Sequence, residues 1–477
     1  MSAGLDKNTN GLRNEIRRPG RVSADTATAR EPRTYPAGRF LHGLLRDPLK
    51  ALEEVGREAG GEITRLNLGP FRPYLITRPE HLQHVLRDNA TNYRREGLMW
   101  KPLSRLVGEP SGADPEWPVK RRVFQSLLTG KNIATFTNEM ARTIAGTVEE
   151  LGDRVGPGVP VDALDALTRI VYRAILRIFI GDRLSLADAD RLGDAIMVAT
   201  TSSFRARMLL PFVPLAVPLP GDRAFHQAVR AVDDIVYPIV RKARRLQAKG
   251  MEESGRDIVS LLLAARDDQG QGLGDKAIRD GIVSLFVAGT ETTVTALAWL
   301  WVVLESHPNV ADRLRQEIDL VVGTDQPTRS HLPELCYTKM VLQELLRVYS
   351  VGWIIPRIVA EDDVIDGVRL HGGAPLIVSP YLTHRVPDVW PEPHVFDPER
   401  FAPDRSRHRF AYLAFGAGPH QCVGSVFFTV EAQLIVASMI SRLRPALHGS
   451  ARIEPQAGLT LKPRRPIEIT LRPVRAR

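Results

Sequence analysis

The chain has 477 residues, 43% of them hydrophobic and 25% charged, which allows a large buried core and excludes a disordered, collagen-like or disulfide-stapled protein. Its formal net charge of +9 is a mild excess spread over the whole length; it does not identify a nucleic-acid-binding protein, and it fits one basic face that docks an acidic partner. The only two cysteines, Cys336 and Cys422, favour a reducing cytoplasm over secretion.

Residues 1–33 are polar and Arg-rich without an apolar run, which predicts a flexible tail with no signal peptide or membrane anchor. One internal stretch, 281–304, is long enough to span a bilayer. Its centre is polar, with Glu291 between threonines, and no aromatic or basic belts flank both ends. We therefore predict a long helix in a soluble core with a polar notch at its middle.

Most of the chain shows apolar residues at helical spacing, with short β-like segments near both ends. The predicted helices include 134–151, 161–180, 225–246, 257–265 and 425–443. The predicted strands are 62–68, 72–77, 363–365, 369–370 and 467–471, and the predicted loops are 107–118, 210–222 and 390–405. This order predicts a mainly α fold with small β-sheets, in a single domain over residues 34–477.

The segment 415–424, FGAGPHQCVG, places Cys422 in a tight loop just before a predicted helix. The amides and dipole of that helix start predict a lowered thiol pKa, and hence a nucleophile or a soft metal ligand. The glycines allow the backbone to approach a flat ligand. The alternative is an inert buried cysteine. A zinc site lacks further ligands, and His420 is weak evidence for a base that activates a nucleophile.

The same segment resembles the haem-binding loop of the cytochrome P450 family, Phe-x-x-Gly-x-x-x-Cys-x-Gly. The resemblance implies the cytochrome P450 fold, haem b (iron protoporphyrin IX) as cofactor, and Cys422 as the axial thiolate of the iron, which favours O–O cleavage. It implies that His420 contacts a haem propionate and that Phe415 and Gly424 belong to the cofactor-binding loop. Glu431 falls where the following helix usually carries an acid.

Glu344 and Arg347 form Glu-x-x-Arg, three residues apart on one helix face, which by itself would be an ordinary surface ion pair. The pattern resembles the second motif of the family. The segment 396–401, FDPERF, supplies the third member, Arg400. The resemblance implies that Glu344, Arg347 and Arg400 form a buried structural network beside the haem.

Three more residues resemble propionate-binding positions of the family. Trp117 and Arg121 match Trp-x-x-x-Arg, and a planar guanidinium suits a carboxylate. Arg357 stands ten residues beyond Arg347, although the usual Pro-Pro between them is replaced by Ser350-Val351. The resemblance implies that all three bind the cofactor.

The long helix contains Ala288-Gly289-Thr290-Glu291-Thr292-Thr293. A glycine inside a helix costs about 1 kcal/mol relative to alanine, and Thr292 can bond back to a carbonyl one turn earlier. The alternative to a functional groove is a helix kink without chemistry. The motif resembles the acid–alcohol pair of the family, which implies that Glu291 and Thr292 deliver protons as the O–O bond breaks. Their presence favours O2 with electrons over direct use of peroxide.

The resemblance runs from about Arg33 to Arg472 and implies a monooxygenase of secondary metabolism that hydroxylates or epoxidises an apolar or aromatic small molecule. Electrons would come from NAD(P)H through a ferredoxin or flavodoxin and its reductase, docked on a basic face near Arg121 and Arg122. A terpenoid, an indole-like peptide and a polyketide all fit as substrate. The expected pocket residues are Phe286, Val287, Trp353, Ile354 and Leu459. The alternatives are oxidative C–C or C–N coupling, peroxide rearrangement, and a haem-based ligand sensor without turnover.

Overall fold

The structure, a computed structural model, describes residues 29–36, 38, 43, 46–96, 101–109, 114–202, 207, 213–214, 216–251 and 257–474. As predicted, the fold is mainly α with small β-sheets. In chain order the α-helices are α1 (Pro48–Ala59), α2 (Pro79–Gln83), α3 (Lys101–Val107), α4 (Trp117–Leu127), α5 (Gly130–Arg154), α6 (Ala163–Phe179), α7 (Leu186–Thr201), α8 (Asp222–Ala248), α9 (Ile258–Ala264), α10 (Asp275–Ser306), α11 (Pro308–Val321), α12 (Cys336–Val348), α13 (Pro380–Thr383) and α14 (Ser425–Leu443).

The strands are short and form four sheets. They are β1 (Arg33–Tyr35), β2 (Thr64–Leu66), β3 (Tyr74–Ile76), β4 (Tyr93–Arg94), β5 (Pro160–Asp162), β6 (Ile355–Val359), β7 (Asp363–Ile365), β8 (Val368–Leu370), β9 (Pro375–Val378), β10 (Ala446–Leu447), β11 (Pro455–Gln456), β12 (Lys462–Pro463) and β13 (Glu468–Thr470). The largest sheet has the order β1-β2-β3-β9-β6-β4, and the others are β10-β13-β5, β11-β12 and β7-β8.

The six-stranded sheet joins distant parts of the chain. β3 pairs in parallel with β9, with Tyr74 opposite Leu376, and β9 pairs antiparallel with β6. The neighbouring β7–β8 hairpin turns at Asp366 and Gly367, whose φ angles of 50° and 70° are both positive, as a type I′ turn requires. The sheet thereby fixes β6, which carries Arg357, relative to the N-terminal third of the chain.

The expected tail boundary at residue 33 falls inside an ordered segment. Arg30 bridges to Val368, and its amide donates to Gly367 O (2.9 Å). β1 then pairs in parallel with β2 from Arg33 onward. The described end of the expected tail is therefore held by backbone pairing, while residues 1–28 lie outside the described residues.

Most predicted elements have counterparts, and the differences lie at their ends. The predicted helix 425–443 coincides with α14. The predicted helix 161–180 begins later, because Pro160–Asp162 form β5 and the Asp162 side chain caps α6 by accepting from the Leu164 amide (2.8 Å). Residues 213–214 and 216–221 of the predicted loop 210–222 are described and belong to no helix or strand, and α8 begins at Asp222; residues 210–212 and 215 lie outside the described residues.

The expected long buried helix over residues 281–304 lies within α10, which has 32 residues and is buried on nearly every face along its second half. By length and composition, α10 and α14 are the two helices in the described part of the chain that could cross a membrane. Their apolar windows are 83% and 78% buried inside the protein, as in the core helices of a globular fold.

The contact between α10 and α14 contains a buried carboxyl group. Thr293 on α10 donates to Glu431 Oε2 on α14 (3.3 Å), and Glu431 Oε1 is buried without a hydrogen-bond partner among the described residues. Burial raises the pKa of Glu431 to about 8, and the bond from Thr293 acts in the opposite direction. The side chain is therefore mostly protonated at neutral pH.

A second close contact fixes the segment before Cys422. Gly418 has a φ of +71° and begins the one-turn 3-10 helix Gly418–His420. This short helix lies against the π-helical turn His84–Asp88. A Cβ at Gly418 would lie 1.6 Å from the carbonyl oxygen of Leu86. Glycine is required here by a neighbouring stretch of backbone as well as by the positive φ.

Glu431 should make the protein less stable as the pH rises. Its carboxyl titrates near 4.5 when unfolded and near 8 when folded, so stability present below pH 4.5 is lost as the pH rises through 8. The slope is at most about 1.4 kcal/mol per pH unit. Urea midpoints of the wild type should fall between pH 5 and pH 8 more steeply than those of Glu431→Gln, which does not titrate; parallel profiles would contradict this assignment.

Gly418→Ala should cost more stability than Gly373→Ala. Both glycines have positive φ, +71° and +77°, but a Cβ at Gly373 meets no atom within 4 Å. Gly373→Ala thus measures backbone strain alone, about 1–3 kcal/mol. Overpacking against Leu86 should add about 1–3 kcal/mol in Gly418→Ala. Chemical unfolding of both variants tests this, and equal losses would show that the close approach is relieved without strain.

Candidate active site

Cys422 lies at the end of a loop that is defined by its own backbone hydrogen bonds. The Gly416 amide donates to Leu413 O (2.9 Å), and the Cys422 amide donates to Phe415 O (2.8 Å). Gly424 follows as the N-cap of α14, and a Cβ there would lie 3.8 Å from Cys422 Sγ, an ordinary contact. Cys422 is an exposed residue, although nearby protein atoms partly desolvate its sulfur.

The thiol pKa of Cys422 differs from the expectation. Desolvation by the surrounding protein atoms raises it, and the Gly424 amide, Arg121 and Arg95 act in the opposite direction without overcoming this effect. The predicted lowering by the helix start is therefore wrong, because the loss of water outweighs the nearby dipoles and charges. A coordinated metal cation deprotonates a thiol outright and would supply what the protein groups do not.

Several predicted cofactor-binding residues meet beside this loop. The rings of Trp117 and His420 lie 5.0 Å apart between centroids, and the Arg121 guanidinium lies 6.0 Å from the Trp117 ring centre. Arg121 donates to Gln421 O (2.6 Å), while its Nε is buried without a partner among the described residues. Arg357 on β6 is also buried and acts on the His420 ring electrostatically.

Arg95 joins this cluster, and no sequence motif indicates it, because nothing in the run Tyr93-Arg94-Arg95 distinguishes one arginine from the other. Burial, and then Arg121, lowers the pKa of Arg95 to about 10. Burial, and then Arg95, lowers the pKa of Arg357 to about 10. The cluster therefore concentrates positive charge in a desolvated place.

This charge distribution decides what the site can hold. Burial, and then Arg357, Arg95 and Arg121, lowers the pKa of His420 to about 4, so the ring is neutral at pH 7. Three guanidinium groups that repel one another near an exposed thiol fit a ligand with carboxylates at one edge and a soft metal elsewhere. Haem, with two propionates and one iron, has this composition.

The predicted network of Glu344, Arg347 and Arg400 is present. Arg347 Nε and Nη2 donate to the two Glu344 carboxylate oxygens, each at 2.7 Å, and both side chains have 0% exposure. Arg400 Nε approaches Glu344 Oε1 at 3.5 Å, and the Asp397 amide donates to the same oxygen (2.9 Å). The ion pair is therefore buried and well satisfied, unlike a surface pair.

Glu291 and Thr292 are neighbours on α10, but their side chains have different partners. Thr292 donates to Ala288 O (2.6 Å), as predicted for a back-bonding threonine. A Cβ at Gly289 would lie 3.0 Å from the Ile175 side chain, so this glycine permits close packing of α10 on α6. α10 continues through the motif to Ser306.

The Glu291 carboxylate is held by residues from two other parts of the chain. Lys462 Nζ lies 2.8 Å from Oε1, and the hydroxyls of Thr460 and Thr200 donate to Oε1 and Oε2, each at 3.0 Å. Lys462 is 22% exposed and connects the buried acid to the surface. No sequence motif pointed to these partners, because they lie 91 to 171 positions from Glu291 along the chain.

The five expected pocket residues divide into two groups. Phe286 has 0% exposure and packs against Tyr172 (6.1 Å between ring centroids), so it belongs to the core, and its expected place in the pocket wall is not supported. Val287 and Trp353 are also buried, and the Trp353 indole donates to Gly458 O (2.9 Å). Only Ile354 and Leu459 are partly exposed.

Curated proteins with similar sequences include three from Streptomyces. Pentalenene oxygenase of Streptomyces avermitilis is 30% identical over 91% of this chain and 95% of its own. Cyclooctat-9-en-7-ol 5-monooxygenase of Streptomyces melanosporofaciens is 31% identical over 87% of this chain and 89% of its own. Cyclooctatin synthase of the same organism is 30% identical over 92% and 97%.

A family model described as cytochrome P450 matches residues 38–471, which span the described sheets and helices almost completely. The match includes the Cys422 loop, the Glu344–Arg347 pair and the α10 motif. The family uses haem b and takes electrons from NAD(P)H through redox partners. The chain therefore belongs to the cytochrome P450 family and is a haem-dependent monooxygenase.

Proposed function

We propose that Cys422 binds the haem iron and that the protein adds one oxygen atom of O2 to a cyclic, mostly apolar small molecule. One observation carries the assignment: the exposed Cys422 thiol stands beside a desolvated cluster of arginines. Haem would match both features, because its iron needs a ligand from the protein and its propionates need cations. When bound, it supplies the iron at which O2 is activated.

The arginine cluster would hold the propionates. We assign Arg95, Arg121 and Arg357 to these carboxylates, with Trp117 and neutral His420 as hydrogen-bond donors. After burial, Arg121 lowers the pKa of Arg95 and Arg95 lowers the pKa of Arg357, which supports this assignment because two carboxylates would relieve the repulsion. Phe415 and Gly424 would shape the loop around the sulfur, since the Phe415 carbonyl accepts from the Cys422 amide and Gly424 adjoins Sγ.

Thr292 and Glu291 would deliver protons. Thr292 is partly exposed and bonds back to Ala288, so its hydroxyl is available on the open side of α10. Glu291 is buried and paired with partly exposed Lys462, which offers protons a path from the surface. The two side chains do not bond to each other, so transfer between them needs a water molecule or a rotation of Glu291.

The substrate is proposed to be a cyclic alkene or alkenol. Two relatives are named for action on pentalenene and on cyclooctat-9-en-7-ol. Of the three substrate classes that fit the sequence, the terpenoids contain such compounds. The partly exposed Ile354 and Leu459 are aliphatic and suit an apolar ligand.

The electron donor is proposed to be a ferredoxin or flavodoxin with its reductase. The protein is proposed to act in the cytoplasm. Arg122 is exposed on α4, and its Nη2 lies 3.3 Å from Asp268 Oδ1. This carboxylate weakens the positive potential that Arg122 would present to an acidic partner protein. Arg121 bonds to Gln421 O and faces the cofactor cluster. Charge reversal at Arg122 should therefore affect electron transfer only modestly.

Cys422→Ser should abolish thiolate ligation. The carbon monoxide complex of the reduced wild type should show the absorption band of haem-thiolate proteins, and the variant should lose it because an alcohol is a poor ligand at neutral pH. Cys336→Ser is the matched control, since Cys336 is also exposed and its Sγ donates to Pro333 O (3.2 Å). A thiolate band retained in Cys422→Ser would overturn the assignment.

Thr292→Ala should separate oxygen consumption from product formation. NAD(P)H oxidation should continue, while product formed per NAD(P)H falls by roughly 100-fold, the lower end of what a positioned proton donor contributes. Thr292→Ser keeps a hydroxyl and should recover most of the yield. Unchanged product yield in Thr292→Ala would count against the relay, as would equal losses in both variants.

A further inference from the structure

A histidine outside the family motifs connects the buried Glu344–Arg347 pair to the Cys422 loop. His384 follows α13 and has 0% exposure. Its Nε2 lies 2.9 Å from the Leu413 amide, and its Nδ1 lies 2.8 Å from Ser350 Oγ and 3.2 Å from Arg347 O. Its own carbonyl accepts from Arg347 Nη1 (2.9 Å).

These contacts determine the protonation of the ring. A backbone N–H only donates, so His384 Nε2 must accept from Leu413 and carries no proton. The proton of the neutral ring is therefore on Nδ1, which donates to Ser350 Oγ or Arg347 O, and Ser350 Oγ in turn donates to Arg347 O (3.1 Å). Burial, then Arg347 and Arg385, lowers the pKa of His384 to about 3, which agrees with a neutral ring.

From Leu413 the hydrogen bonds continue toward the sulfur. Leu413 O accepts from the Gly416 amide (2.9 Å), and Phe415 O accepts from the Cys422 amide (2.8 Å). The His384 ring also stacks on Tyr412, the residue before Leu413 (5.4 Å between centroids, 22° between planes). The first turn of the cysteine loop is thus fastened to α12 through one imidazole ring.

We propose that His384 is a positioning residue for haem ligation: by accepting the Leu413 amide it fixes the loop that presents Cys422 to the iron. This inference rests on the proposed ligation by Cys422. The ring acts on the loop through its hydrogen bond with the Leu413 amide. A leucine at this position would fill similar space but leave the Leu413 amide buried without an acceptor.

Two substitutions separate positioning from packing. His384→Gln places an amide oxygen at about the distance along the side chain at which Nε2 stands, so it can still accept from Leu413. His384→Leu has no acceptor. The matched control is His331→Leu, because His331 Nδ1 also accepts a backbone amide, that of Thr328 (3.0 Å), in a segment before α12 that is separate from the cysteine loop.

The haem-loaded full-length variants are compared by the carbon monoxide difference spectrum of the reduced protein and by melting temperature. We expect the ratio of thiolate-ligated to thiolate-free haem to fall about tenfold in His384→Leu, which corresponds to about 1.4 kcal/mol. His384→Gln should stay near the wild type. His331→Leu should lower the melting temperature without changing the ratio.

The outcomes decide between the two roles. A wild-type ratio in His384→Leu, with only a lower melting temperature, would reduce His384 to a packing residue and overturn the proposal. If His384→Leu does not fold, His384→Asn takes its place. The shorter Asn amide can bond to the partners of Nδ1 but does not reach the Leu413 amide. Equal ratios of thiolate-ligated to thiolate-free haem in the Asn and Gln variants would also overturn the proposal. A wild type without a thiolate band would instead refute ligation by Cys422.

Discussion

The buried ion pair between Glu344 and Arg347 is the interaction on which the architecture around the active site depends. Two charges without access to water are stable only if every polar atom has a partner. Arg347 meets this condition by donating to Glu344 and to the carbonyls of His384, Pro393 and Val395. Two irregular segments, one at His384 and one at 393–395, are thereby ordered around one guanidinium, and the first leads through His384 to the cysteine loop.

A different arrangement of charge, a cluster of arginines, lies beside the cysteine loop. There burial lowers the pKa values of Arg95, Arg121 and Arg357, and the charges of neighbouring arginines lower those of Arg95 and Arg357 further. The protein thus contains one buried ion pair whose charges are satisfied within the protein and one desolvated arginine cluster beside the Cys422 loop. The first orders the surrounding chain, and under the proposed function the second would bind the carboxylates of the cofactor.

Much of this site could be predicted from the sequence, since Cys422, Glu344, Arg347 and the α10 motif lie in short patterns with fixed spacing. The roles of residues whose partners are remote could not. The rise in the pKa of Cys422 comes from burial by the whole fold, and the need for glycine at position 418 comes from the carbonyl of Leu86. The same holds for secondary structure: the apolar pattern from Ser425 to about Leu443 matches α14, whereas the start of α6 depends on a strand that pairs with the far end of the chain.

The residues that hold Glu291 connect its proposed role in proton delivery with the proposed substrate-contacting segment around Leu459. The acid is held by Thr200 on α7 and by Thr460 and Lys462, which adjoin the partly exposed Leu459, and the Trp299 indole ties the same segment to α10 through Leu461 O (2.9 Å). A substitution that reshapes this segment to admit a different molecule would also move the partners of Glu291. Under the roles proposed for Glu291 and Leu459, a change of substrate range would therefore also change the fraction of reducing equivalents that is converted to product.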